Sequence, residues 1–521
     1  MRQRPMTVLR AALPRRFVES LRLFGQFRTF VLLRTQEVRA AGCAGPSCHT
    51  ALSFNSMLSG RTVIERAIDL GFDLAGIAPL GVWKDLDFSR EWVVKGFNGE
   101  MRYLDSPKRF DPLLVLPSAR SVICVGLVYN APLPYSTEVA AAGKSQKSGV
   151  RSQETEEKTS SIRFRVSGEE RATEGEAKEN FKTSEASSPQ PLASFFSNGK
   201  RTTDKGRSAP RAWISRYAWG CDYHEVMRAK LEKLRVALEE LAPGVETRVF
   251  VDTGPVVERA FARFSGIGWM GKNTCIINED NGSWFFLGVI LSNLELAPDL
   301  PAPDRCGSCT ACLEACPTGA LVEPYVMDAS RCLSYLTIEL RGPIPGEFRP
   351  KIGGNVFGCD ICQDVCPWNS SRQSLVFSSQ QPASLQGQPA DWRHTTHPVI
   401  TKVPQFHPMI LQPADPMVGE GGTREPATTD HGQRTTDTVC FSLFNPALDA
   451  LTLLSEEDFR RIFVHSPIKR AKWRGWLRNL AVAIGNSGDE RFMPWLERAA
   501  QHSDPIVREH AAWALERLRG K

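Results

Sequence analysis

Eight of the chain's 14 cysteines fall between Cys306 and Cys366, where an even spread would place about two. The run CGSCTACLEACP (Cys306 to Pro317) has the spacing C-x2-C-x2-C-x3-C-P, and CDICQDVCP (Cys359 to Pro367) has C-x2-C-x3-C-P. The first is the bacterial ferredoxin spacing, in which three thiolates hold one 4Fe–4S cluster and the fourth, turned away at the proline, ligates the other. Each cluster takes four thiolates and the second motif supplies three, so one more must come from outside; Cys332, between the motifs, is available. The partition that closes puts Cys306, Cys309, Cys312 and Cys366 on one cluster, and Cys316, Cys332, Cys359 and Cys362 on the other. Paired C-x2-C units also serve zinc, but zinc ribbons need neither the third Cys nor the C-x3-C-P ending. Two neighbouring clusters form an electron path, so the rest of the chain must hold what receives the electrons.

A chain of 521 residues exceeds one compact domain. Hydrophobic residues at 42% and charged residues at 23% exclude a collagen-like or wholly disordered chain, and no apolar run is long enough to span a membrane. Cysteines crowded in this way, with no secretory signal, point to metal ligation in a reducing, cytoplasmic compartment rather than to disulfides. The net charge of +6 permits nucleic acid as a partner without demanding it.

SVICVGLVYN (Ser121 to Asn130), TRVFVD (Thr247 to Asp252) and WFFLGVILSN (Trp284 to Asn293) read as strands, and YHEVMRAKLEKLRVALEEL (Tyr223 to Leu241) as an amphipathic helix. The expectation is an α/β (α+β) catalytic domain over residues 57–300 whose strand ends present loops to a site. A ferredoxin-like two-cluster domain follows at 301–370. After about residue 446 two apolar-striped segments, Ala471 to Asn486 and Asp504 to Gly520, predict an all-α cap of HEAT-like repeats over 441–521.

Three stretches break the pattern. The first 56 residues are rich in Arg and poor in acid, which imitates a transit peptide; globular patterning begins after Met57, which is taken as the biological start. Residues 137–209 and 371–440 are low in core-forming residues and share the tetrapeptide RTTD, at Arg201 to Asp204 and Arg434 to Asp437. Both read as disordered insertions tolerated as surface loops.

VDTGPVVERAFARFSGIGWMGKNTCII (Val251 to Ile277), the double cluster motif, RCLSYLTIE (Arg331 to Glu339) and the helical tail together resemble epoxyqueuosine reductase, the cobalamin-dependent iron–sulfur family of tRNA queuosine biosynthesis. The resemblance covers about residues 57–136, 210–370 and 441–519. It implies reduction of epoxyqueuosine to queuosine at the tRNA wobble position by a monomer. Electrons would come from an external donor such as a flavodoxin or ferredoxin system and pass through two 4Fe–4S clusters to cobalamin.

Asp252 matches the family's proton donor. An acid that keeps its proton near neutral pH needs a raised pKa, which desolvation can supply; otherwise Asp252 is a loop carboxylate or a helix cap. No D-x-H-x-x-G motif occurs, so cobalamin without a protein His ligand is implied. Its contacts are placed by resemblance at Arg216, Tyr217, Asp252, Lys272, Asn273, Thr274, Ile276 and Ser334. For Tyr217 and Tyr223 aromatic packing is the plainer role, and for His224 helix capping. In the tail, Lys469, Arg470, Lys472, Arg474 and Arg478 lie within ten residues, and at helical spacing several can face tRNA phosphates; a solvated face explains them equally. Two other functions compete: a cobalamin-dependent reductive dehalogenase, disfavoured by the tail, and a ferredoxin-type electron-transfer module, which leaves Asp252 without a task.

Overall fold

A computed structural model of the chain describes residues 58–81, 83–145, 209–369, 399–411 and 441–520. The basic leader and most of both expected insertions lie outside the described residues. Leu58–Lys521 forms one compact unit.

Its centre is a four-stranded sheet of β1 (Leu74–Pro79), β2 (Ser121–Val128), β3 (Thr247–Phe250) and β4 (Phe285–Ser292), in the order β1-β2-β4-β3. Every neighbouring pair is antiparallel, with Ile123 opposite Ile77 and Ile290, and Val249 opposite Ile290. The domain is therefore the α+β form of the expectation, and the strand-end rule for parallel sheets does not govern its site. All eight residues of β2 are buried, because helices cover both faces. Ile123, Val125 and Leu127 meet α1 (Gly60–Asp69) and α2 (Tyr223–Leu241), through Val63, Ala67, Met227, Leu231 and Leu234. Val122, Cys124 and Val128 meet α3 (Glu258–Phe264), through Ala260 and Phe261. The period-2 alternation of a doubly covered strand accounts for both cores. Gly76 on β1 is required here: a Cβ would lie 2.0 Å from the Ser265 carbonyl oxygen at the end of α3.

The stretches read as insertions are partly built into this body. Ser136–Ser145 is helical, and Val403 and Phe406 are buried in the α2 face of the sheet core.

The tail consists of short helices followed by α4 (Lys472–Ser487), α5 (Met493–Ala499) and α6 (Pro505–Arg519). It does not merely cap the molecule. Trp476, Leu480 and Ile484 of α4 share one buried cluster with Trp213, Ile214, Trp219 and Phe357. Asn479 donates to the carbonyls of Thr337 and Val356 at 2.7 and 2.9 Å. Arg478, 1% exposed, donates to the carbonyls of Leu336, Leu340 and Gly342 at 2.7 to 2.8 Å. It is thus a buried clamp and not the phosphate contact expected of it. Arg478→Ala would strand three carbonyls and is expected to destabilise the chain by about 3–5 kcal/mol. In urea unfolding of the apo-protein this appears as a lowered midpoint, whereas the exposed Lys472→Ala changes stability by less than about 0.5 kcal/mol.

Candidate functional site

The eight clustered cysteines lie close to one another, with Cys362 near both Cys332 and Cys312. Cys306, Cys309, Cys312 and Cys366 line one cavity, together with Lys272, Asn273 and Trp368. Cys332 has Cys316 as its thiol neighbour, and Cys359 and Cys362 both feel Cys332. Short helices, Ala311–Ala315 and Ile361–Asp364, follow the first cysteines of each motif and pack on one another. Burial pushes the Cys312 thiol up to about 12, with Cys309 and Cys306 adding to it. Among the described residues no three His, Cys, Asp or Glu side chains converge on a single point; a 4Fe–4S cube takes each thiolate on a different iron, so its ligands stand apart. A ninth cysteine that the spacing did not single out, Cys275, neighbours Cys332 and Cys362.

Several residues expected at cobalamin hold these loops. Lys272 and Asn273 sit in the turn between the two-residue strands Trp269–Met270 and Ile276–Ile277. The Lys272 ammonium donates to the carbonyls of Gly307 and Cys309 at 2.6 and 2.9 Å. Asn273 Nδ2 donates to the Cys362 carbonyl at 3.2 Å. One turn therefore pins both cluster loops. Ser334 has its hydroxyl on the Cys332 thiol. Thr274, at φ +65, gives its carbonyl to Arg259, and Ile276 is buried against the α3 face.

Arg216 is likewise structural. It is 1% exposed, donates to the carbonyls of Ala131, Leu133 and Pro134, and stacks over Tyr135, Trp219 and Trp284. Beside it Asp360 accepts from Trp213 Nε1, Ser215 Oγ and the Arg216 amide at 2.5 to 3.0 Å, which fixes the segment leading into α2.

Asp252 and Tyr217 remain, and they lie together. β3 ends at Phe250, Val251 is buried, and Asp252 takes φ +53, a left-handed conformation that costs an L-residue about 1–2 kcal/mol. The loop is held there by Arg109, whose guanidinium donates to the Gly254 carbonyl at 2.6 Å. The Asp252 side chain is 59% exposed, yet surrounded by groups from distant parts of the chain, so it stands in a concavity. Tyr223 donates to its Oδ2 at 2.7 Å, and His224 Nε2 lies 3.5 Å from the same oxygen, an ion-pair distance rather than a well-formed hydrogen bond. Tyr103, Tyr217 and Arg470 lie within electrostatic range.

Burial alone would raise the Asp252 pKa, but the facing His224 and the Tyr223 hydroxyl outweigh it and hold the carboxyl below its ordinary value. The raised pKa expected from desolvation is thus reversed by these neighbours. Tyr223 is pushed well above the usual phenol range by burial and by Asp252. Glu258, at the start of α3, is pushed up to about 8, first by burial and then by Asp252, and its Oε1 has no partner.

The other basic residues of the tail divide. Arg470 forms a two-pronged ion pair with Glu339 and lies over Tyr103. Lys469 binds Asp222 at 2.9 Å. Lys472 and Arg474 are exposed and line a groove of about 790 Å³ with Lys469, Trp473, His502 and Arg460, the last missed in the sequence. Arg474 also approaches Asp504 at 3.7 Å. Among the described residues no helix is long and apolar enough to cross a membrane.

Two thiol quartets wired by a single turn to a domain with an ion-paired acid in a concavity define an iron–sulfur oxidoreductase. Residues 305–369 match the 4Fe-4S double cluster binding domain family, and residues 193–253 match "Epoxyqueuosine reductase QueG, DUF1730". Epoxyqueuosine reductase of Xanthomonas campestris pv. campestris is 38% identical over 306 residues, covering 58% of this chain and 70% of that protein. The enzyme of Pseudomonas aeruginosa is 39% identical over 456 residues, covering 86% and 91%. A crystal structure of epoxyqueuosine reductase with an epoxyqueuosine-modified tRNA-Tyr stem loop superposes with a TM-score of 0.58 at 26% identity, covering 88% of this chain and 89% of that one. The chain belongs to the epoxyqueuosine reductase family.

Proposed function

We propose that this chain reduces epoxyqueuosine in tRNA to queuosine, with the concavity at Asp252 as the reaction site. The observation that carries the reading is the placement of two thiol quartets against a turn of the catalytic domain through Lys272 and Asn273, because a reductase must bring its electron path to its acid. Removing the epoxide oxygen as water consumes two electrons and two protons. One-electron carriers deliver the first, and ionisable side chains together with solvent deliver the second. The 306, 309, 312 and 366 thiols hold one 4Fe–4S cluster, and the 316, 332, 359 and 362 thiols the other.

Cobalamin suits the concavity in one testable respect. The cofactor brings its own cobalt, and His224 has Asp222 on Nδ1 and Asp252 facing Nε2, so both ring nitrogens are turned to carboxylates rather than toward a metal. When bound it supplies low-valent cobalt chemistry to the epoxide carbon. Asp252 and Tyr217 are the residues placed to border it. Asp252 presents the oxygen from which a proton leaves, and Tyr223 orients that carboxyl.

The groove of Lys472, Arg474 and Arg460 is the surface proposed for tRNA phosphates, and the helices of the tail are proposed as HEAT-like repeats. The organisation proposed is a catalytic domain, a two-cluster domain and this helical tail, in a cytoplasmic monomer fed by an external flavodoxin or ferredoxin system. The test is anaerobic reconstitution of the full chain with iron, sulfide, cobalamin and a low-potential reductant, followed by nucleoside analysis of epoxyqueuosine tRNA. Queuosine is expected only when both cofactors are present. Intact clusters and bound cobalamin with no queuosine formed would sink the proposal.

A further inference from the structure

The side chains behind Asp252 form a continuous chain into the tail. Asp222, 4% exposed, caps α2 by accepting the His224 amide at 3.1 Å. The same oxygen takes His224 Nδ1 at 2.8 Å. Its other oxygen takes the Lys469 ammonium at 2.9 Å, and its amide donates to the His465 carbonyl at 2.7 Å. Lys469 is anchored in turn on the Val464 carbonyl at 3.0 Å. At the other end, the His224 ring is clamped flat on Tyr223, with centroids 4.1 Å apart, and its Nε2 is buried with no hydrogen-bond partner, 3.5 Å from Asp252. A proton on Nδ1 is committed to Asp222, so the nitrogen facing Asp252 is the one that can gain and lose a proton.

We propose that His224 holds the proton that Asp252 delivers, and that Lys469, acting through Asp222, positions His224, so that the tail is part of the acid. This rests on the function proposed above. The proton passes from His224 Nε2 to Asp252 Oδ2 and from there to the departing oxygen, leaving neutral imidazole and carboxylate. Solvent reprotonates the imidazole before the second proton is delivered. No oxidant or reductant enters these transfers.

The charges around the ring agree with the assignment. Asp222 and Asp252 flank it, Tyr217 and Tyr223 lie to one side, and Lys469 and Arg470 approach from the tail. Further out, Glu225 pairs with His465 at 3.1 Å, Glu339 neutralises Arg470, and Glu258 lies beyond Asp252. Burial opposes a charged ring, but the Asp222 hydrogen bond and the facing charge of Asp252 outweigh it and hold His224 up to about 9, so the pair carries its proton at neutral pH. The proton is present below that value and lost above it.

The experiment uses the cluster- and cobalamin-loaded full chain, with cofactor content measured in every preparation. Wild-type kcat is expected to be level near neutral pH and to fall above about 9. His224→Gln should lower kcat about tenfold or more and abolish that alkaline limb, and Asp222→Asn should move the limb toward the ordinary imidazole range. Lys469→Gln should lower kcat several-fold, roughly three- to tenfold, with the KM for tRNA within about twofold. An unchanged pH profile in His224→Gln, or a raised KM with unchanged kcat in Lys469→Gln, overturns the proposal; the second result would make Lys469 a phosphate contact.

A readout independent of turnover separates this proposal from the functional one. In the same loaded protein labelled with ¹³C-histidine, the resonance missing from His224→Gln should titrate well above free imidazole in wild type and lower in Asp222→Asn. Absence of that difference overturns the chain even if queuosine forms. Presence of the difference without queuosine formation overturns the functional reading alone.

Discussion

Asp252→Asn is expected to assemble both clusters and retain cobalamin as the parent chain does, and to reduce epoxyqueuosine about a hundredfold more slowly or worse. Asn is the informative substitution for two reasons. Asp252 sits at φ +53, which Asn adopts more readily than most residues, so the loop survives where Ala would add backbone strain. An amide oxygen still accepts the Tyr223 hydroxyl, but the side chain can neither hold nor release a carboxylic proton. The variant also removes the charge that faces His224. Near-normal turnover with intact cofactors would remove Asp252 from the mechanism, and loss of cobalamin with activity would make it a binding residue.

The second large effect is on the metal content. Wild type should carry iron and acid-labile sulfide at about eight each per chain. Cys366→Ser, in the quartet with Cys306, Cys309 and Cys312, and Cys332→Ser, in the other, should each fall to about four, with the surviving cluster still visible by electron paramagnetic resonance. Cys275 adds a control because it borders Cys332 and Cys362. If Cys332→Ser keeps about eight irons and only the double variant with Cys275→Ser loses about four, the ligand set proposed for the second cluster is wrong.

The double cluster segment was legible because ligand spacing is local: C-x2-C-x2-C-x3-C-P constrains a few turns of backbone, and residues 305–369 match a double cluster domain. The strands and α2 were legible for the same reason, through their periodicity. Pairing was not, since nothing in the run lengths places β4 between β2 and β3. The loop-pinning role of Lys272 and Asn273 was not legible for the same reason. Lys272 and Asn273 adjoin the catalytic motif in sequence, but their partners lie 35 to 89 residues away in the cluster loops. Charge was misleading where burial decides its use: Arg478 was expected to face phosphates, and it holds carbonyls of a distant segment. The pair of His224 and Asp252 left a faint trace, a DYH run opening a helix (Asp222 to His224), which capping alone would explain.

The cluster shared by Trp213, Trp219 and Phe357 with Trp476, Ile484 and Ala514 bears on how the polypeptide is made. A ribosome releases the chain from the N-terminus at about 5–20 residues per second, so Trp213 waits while a further 263 residues are made before Trp476 arrives. The thiol-bearing loops emerge before the helices that complete the body beneath them. Premature termination before α4 therefore leaves Trp213 and its neighbours without their partners, and such fragments are substrates for proteolysis rather than partial enzymes.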